Sequence, residues 1–141
     1  MRRDRWLVSY NMSRIRAKNT LPELVLRRAL YGRGFRYRIH ASLPGHPDIL
    51  FSRAKVAVFV DGEFWHGRHI RRLSRELKVN RRFWLSKIRA NKARDRRNDV
   101  ALRRLGLLVL RIWDRDILAD PDYCAEQVLA HVQRRVVARA S

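Results

Sequence analysis

Residues 46–63 read HPDILFSRAKVAVFVDGE. Two short apolar runs stand out, DILF at 48–51 and KVAVFV at 55–60, joined by a polar link at Ser52 and Arg53. Runs this short and this rich in Val, Ile and Phe read as neighbouring strands. Upstream, FRYRIH (35–40) alternates apolar with basic and predicts a half-buried strand; SLPGHP between them is a turn. The three strands read as an antiparallel meander. LLVLRIW (107–113) predicts one more buried strand.

Helices frame these strands. Thr20, Pro22 and Glu23 mark a helix start: an N-cap residue, a first-turn proline and an acid at the positive end of the dipole. Leu24, Leu26, Leu30 and Tyr31 carry that helix to about Arg33, and Gly32 and Gly34 end it. A long helix runs from about Arg82 to Leu105 and stops at Gly106. Pro121 to about Arg139 is a C-terminal helix with Tyr123, Val128, Leu129, Val132 and Val136 on one side. The order α-β-β-β-α-β-α predicts an α/β fold, a mixed central sheet flanked by helices. Residues 1–20 read as a basic N-terminal arm that orders on a ligand, and 21–141 as one domain. Residues 68–80 read as a polar loop.

Lys and Arg number 33 against 13 Asp and Glu, a formal net charge of +20, so the expected partner is a polyanion, with nucleic acid ahead of an anionic membrane surface. No apolar run approaches the roughly 20 residues that span a bilayer, and the N-terminus lacks the apolar stretch of a signal peptide. The chain reads as cytoplasmic. A single cysteine, Cys124, excludes an internal disulfide and reads as a structural thiol. Asp114, Asp116, Asp120 and Asp122 cluster, and that region is expected to face away from the polyanion.

Within this basic chain, acids gather at the strand ends. Asp48 opens one strand, Asp61 closes the next, and Glu63 follows two residues on, where alternation puts it on the same side as Asp61. Carboxylates brought this close repel unless protonated or bridged by a cation. Oxygen ligands of this kind suit Mg²⁺, and Mn²⁺ equally, beside a phosphate. His66 has the chemistry of a general base or acid for such a reaction; His46 and His69 lie near it and chemistry alone does not separate them. "PD" and "DG" are also turn dipeptides, and each alone is a common strand end. Phe64, Trp65, Phe83 and Trp84 form two aromatic pairs in basic surroundings, suited to wedging between base steps or to core packing; Trp84 shares a helical face with Ile88, while Trp65 lies between two glycines. The segment 81–99 carries Lys87, Lys92 and Arg96 among its cations and is the densest basic stretch, read as phosphate contacts.

Taken in order, NMSRIRAKNTLPELVLRRAL, FRYRIHASLPGHPDILF, VAVFVDGEFWHG, FWLSKIRANKARDRR and LGLLVLRIWD resemble the very short patch repair (Vsr) endonucleases over roughly residues 11 to 118. The resemblance implies a restriction-endonuclease-like α/β fold and Mg²⁺-dependent nicking of double-stranded DNA beside a T·G mismatch. It implies that Asp48 is the metal-binding Asp and that Val60 supplies a backbone carbonyl to the metal. His66 would activate water and Glu23 would support the site. Phe64, Trp65 and Trp84 match an aromatic wedge, and Met12 a methionine that intercalates from the opposite groove.

Departures from the family pattern are specific. Asp61 stands where the family has a second active-site His, which shifts the site toward the broader PD-(D/E)xK pattern with Asp48, Asp61 and Glu63. The family's zinc ligands correspond to Glu63, Arg68, Ile70 and Arg115, so no structural zinc is expected. The loop after it must then be held by other groups, Glu76, an Arg pair or DNA among them. Three function classes follow: a monomeric DNA nicking enzyme, recruited by repair or defence proteins and directed at mismatches or at other distorted DNA; a non-catalytic DNA-binding module of the same fold; and a basic ribonucleoprotein component, which leaves the acids unexplained.

Overall fold

The computed structural model describes residues 19–63, 68 and 80–140. Helix α1 spans Leu21–Gly32 and begins where the sequence predicts. Thr20 takes the extended N-cap conformation, but its side chain makes no capping bond. Glu23 supplies the acid of the first turn and accepts from the Asn19 N–H at 3.3 Å. Leu26 and Leu30 are fully buried, one turn apart on the inward face. Leu24 and Tyr31, the other two apolar residues that mark this helix in the sequence, are exposed.

The expected strand 35–40 shortens to β1, Arg38–Ile39: Phe35 and Tyr37 pack against the core but lie outside the ladder, and His40 leaves it on a left-handed backbone, φ 48°. The Tyr37 hydroxyl donates to the Arg27 carbonyl at 3.0 Å, tying this segment to α1. Strands β2, Ile49–Phe51, and β3, Val56–Asp61, pair antiparallel, with Ile49 opposite Val58 and Phe51 opposite Val56. The predicted meander therefore forms, since β1 also pairs antiparallel to β2. Helix α2, Arg81–Arg104, carries the chain across to β4, Leu108–Trp113, which lies parallel to β3. The result is a mixed sheet in the order β1-β2-β3-β4.

One helix escapes the sequence reading. Helix α3, Asp114–Ala119, follows β4 directly, and its Asp114 and Asp116 sit at the positive end of its dipole. Helix α4, Pro121–Ala140, completes the chain; its Val128, Leu129 and Val132 are buried, while Tyr123 and Val136 are exposed.

The core lies between one sheet face and helices α1, α3 and α4. Ile49, Phe51, Val56 and Val58 meet Leu26, Leu30, Ile117, Cys124 and Val128 there. Cys124 is buried, as expected of a structural thiol. Helix α2 covers the other face, contributing Leu85, Ile88 and Leu102. Burial from both sides explains why β3 reads as an unbroken apolar run rather than an alternating one. Arg135 of α4 donates to the carbonyls of Ala54, Lys55 and Gly106, locking the β2–β3 turn against the end of α2. No helix among the described residues is long and apolar enough to cross a membrane.

Candidate active site

At the sheet end where β3 finishes, three distant stretches meet. Glu23 comes from the first turn of α1, His40 from the end of β1 and Asp48 from the start of β2. One ligand atom from each lies within 4.8 Å of the others. The positions follow from backbone constraints. Glu23 is buried, held by the Asn19 N–H and paired with His40 Nε2 at 3.3 Å. The His40 N–H donates to the Asp48 carbonyl at 3.3 Å, so the turn that strains His40 also carries it to Asp48. Asp48 Oδ2 accepts from the Val60 N–H at 2.7 Å, which fixes the carboxylate against β3.

The electrostatics favour a cation. Burial pushes the Asp48 carboxyl up to about 7. The Glu23 and Asp61 carboxylates push in the same direction, while the Val60 hydrogen bond and the Arg111 guanidinium oppose them. Asp48 is therefore protonated in the folded chain at pH values where it is ionised in the unfolded one. Its contribution to stability is present below its unfolded value of 3.8 and is lost as pH rises through about 7. A divalent ion held at this point would take the place of the proton. The donor set, two carboxylates and one imidazole at close range, fits such an ion.

Asp61 and Glu63 do not join this group. Asp61 is buried and receives Arg111 Nη1 on both oxygens, at 3.0 and 3.2 Å. Glu63 Oε1 accepts from Arg68 Nη1 at 2.8 Å, and its Oε2 lies 3.8 Å from Arg115 Nε. The same Arg68 nitrogen reaches Asp116 of α3 at 2.8 Å. The structure does not bring Asp61 and Glu63 into this group as expected: Asp61 is paired with Arg111 of β4, and Glu63 with Arg68 and, at longer range, Arg115. Glu63, Arg68 and Arg115, three of the positions read as lacking zinc ligands, form one ion-paired cluster; Ile70 lies outside the described residues, as does Glu76.

Several other expected residues, Met12, Phe64, Trp65 and His66, also lie outside the described residues. Val60 is described, as the partner of Asp48. Trp84 is half-buried in the first turn of α2, edge-on to the exposed Phe83 at 5.0 Å. Lys87 and Arg96 are exposed on α2, and Lys92 is half-buried. Two residues were missed by the sequence reading. His40 looked like the end of a basic strand, and only the fold brings it to Asp48. Arg111 left a signal: an arginine within a run of Leu, Val and Ile is expected to have a carboxylate partner once buried.

A mixed four-stranded sheet between helices, with acids and an imidazole gathered at one end, is an α/β fold of the restriction-endonuclease-like kind. The family model for DNA mismatch endonuclease Vsr matches residues 4–72. The chain is 45% identical over 114 residues to the type II nicking enzyme V.NmeDIP of Neisseria meningitidis serogroup C, covering 80% of this chain and 77% of that one. It is 38% identical over 121 residues to the type II nicking enzyme V.HpaIIP of Haemophilus parainfluenzae, covering 85% and 86%. It is also 38% identical over 112 residues to the DNA mismatch endonuclease Vsr of Escherichia coli, covering 79% and 71%. The chain belongs to the Vsr family of DNA endonucleases.

Proposed function

We propose that this chain is a divalent-metal-dependent endonuclease that nicks one strand of duplex DNA beside a T·G mismatch, acting as a cytoplasmic monomer. The observation that carries this reading is the convergence of Glu23, His40 and Asp48 in a chain of the Vsr family. Asp48, with Glu23, His40 and the Val60 carbonyl, would hold Mg²⁺ or Mn²⁺. Such an ion, when bound, offsets charge developing on the phosphate and makes a bound water more acidic.

The protein's own groups do the rest. The Val60 N–H holds the Asp48 carboxylate in one orientation. Glu23 keeps His40 in place. His66, by resemblance to the family, takes the proton from the attacking water. Lys87, Lys92 and Arg96 on α2 meet phosphates, which positions the duplex without reading its sequence. Phe64, Trp65, Trp84 and Met12 wedge the mismatch, where weakened pairing lowers the unstacking cost.

The test uses end-labelled duplexes carrying each possible mismatch or none, with Mg²⁺, Mn²⁺ or chelator. One-strand cleavage of the T·G duplex is expected with either ion and none with chelator. Binding without cleavage under every ion would identify a non-catalytic DNA-binding module. Equal cutting of the matched duplex would remove the mismatch specificity.

A further inference from the structure

Arg111 stands in the middle of β4 with apolar neighbours Leu108, Val109, Leu110 and Ile112. Its guanidinium lies among three carboxylates. Nη1 donates to both oxygens of Asp61; Nε and Nη2 donate to Asp99, the shortest bond being 2.7 Å. Asp95 lies 3.6 Å from Nη1. The guanidinium stacks on the Phe59 ring at 4.1 Å. Asp61 belongs to β3, whereas Asp95 and Asp99 lie one turn apart on α2. Carboxylates gathered this closely need a cation among them. A partly buried ion pair adds little net stability over apolar packing, so its presence points to position rather than to strength. And Asp61, with both oxygens on a charged donor, is engaged in strong charge-assisted bonds.

We propose that Arg111 is a positioning residue of the nuclease: its guanidinium occupies the Asp61–Asp95–Asp99 cage as a tethered cation, keeps Asp61 off the ion at Glu23, His40 and Asp48, and anchors α2 to the strand that carries Val60. The inference rests on the metal-dependent reading above. It links the two halves of that reading. Lys92 and Arg96 are within a turn of Asp95 and Asp99, so fixing those acids on β4 sets where α2 presents its phosphate-binding cations relative to Asp48.

Mn²⁺ titration by calorimetry and single-turnover nicking, both on the full chain, test this. Asp61→Asn should keep the wild-type Mn²⁺ affinity, while Asp48→Asn loses it. Arg111→Ala should take up a second Mn²⁺ in the vacated cage and nick about 100-fold more slowly, as expected for displaced reacting groups. Arg111→Lys retains a cation, and should bind one Mn²⁺ and recover most of that rate. Mn²⁺ affinity lost in Asp61→Asn as fully as in Asp48→Asn would make Asp61 a ligand and overturn the proposal. So would an Arg111→Ala chain that binds one ion and nicks at the wild-type rate. If Arg111→Ala does not fold, the Asp61→Asn comparison decides alone. A wild-type chain that binds no Mn²⁺ sinks the metal-dependent reading itself, a different outcome from either of these.

Discussion

Asp48→Asn is expected to slow single-turnover nicking of a T·G duplex by about three orders of magnitude, since a metal-site contribution of several kcal/mol corresponds to that factor. Asparagine keeps the shape of the side chain and can still accept the Val60 N–H, so the fold and the β2–β3 contact survive. What it lacks is the negative charge that a divalent ion needs. The same substitution removes a buried carboxylate whose ionisation the fold resists, so the ion-free variant should melt at a higher temperature than the wild type above about pH 7. A gain in stability with a loss of activity is the signature of a residue placed for chemistry rather than for packing. DNA binding should change little, because Asp48 neutralises no phosphate. A nicking rate within about tenfold of wild type would remove Asp48 from the reaction.

DNA binding, in turn, should depend steeply on salt. A chain of net charge +20 that neutralises some 6–10 phosphates should lose roughly 10³–10⁵ in affinity between about 50 and 200 mM salt. The exposed Lys87 and Arg96 on α2 are expected to contribute to this slope, and their replacement by alanine should flatten it by about one unit each. The acids of α3 should not, because Asp116 is paired with Arg68 and Asp114 accepts the N–H groups of Glu63 and Arg115. Fluorescence anisotropy with a labelled duplex over a salt series measures the slope. Affinity that holds constant over that range would mean that phosphate contacts do not drive binding.

Local pattern carried much of this fold. The runs that became β2 and β3 are apolar because both sheet faces are covered there, whereas every residue of β4, read as a buried strand, is only half-buried; α2 and α4 end within a residue or two of their predicted bounds. β1 stops where His40 turns left-handed, and Phe35 and Tyr37 pack against the core, as the alternating pattern suggests, without joining the ladder. Helix α3 went unread because a six-residue helix has too few turns to show periodicity, and its acids look like a solvated surface. The site was half legible. Asp48 announces itself at a strand start, but Glu23 was tied to the site only through family resemblance. His40 reaches Asp48 through backbone hydrogen bonds that no spacing reveals. The pairing of Asp61 with Arg111 spans 50 positions in the chain and could not be read from neighbours, whereas Arg68, which holds Glu63, lies only five residues away from it. Register along one strand showed where those acids could point, but not which cations meet them.

Titration of Mn²⁺ into the intact chain by calorimetry, at about pH 6 and about pH 8, addresses whether Glu23, His40 and Asp48 hold a divalent ion. One ion per chain is expected at both values, bound more tightly at the higher one. At the lower value close to one proton should leave Asp48 for each ion bound, because its carboxyl titrates at about 7. Asp48→Asn should abolish both the binding and the proton release. Absence of binding by the wild-type chain, or binding that Asp48→Asn leaves intact, would contradict the site described.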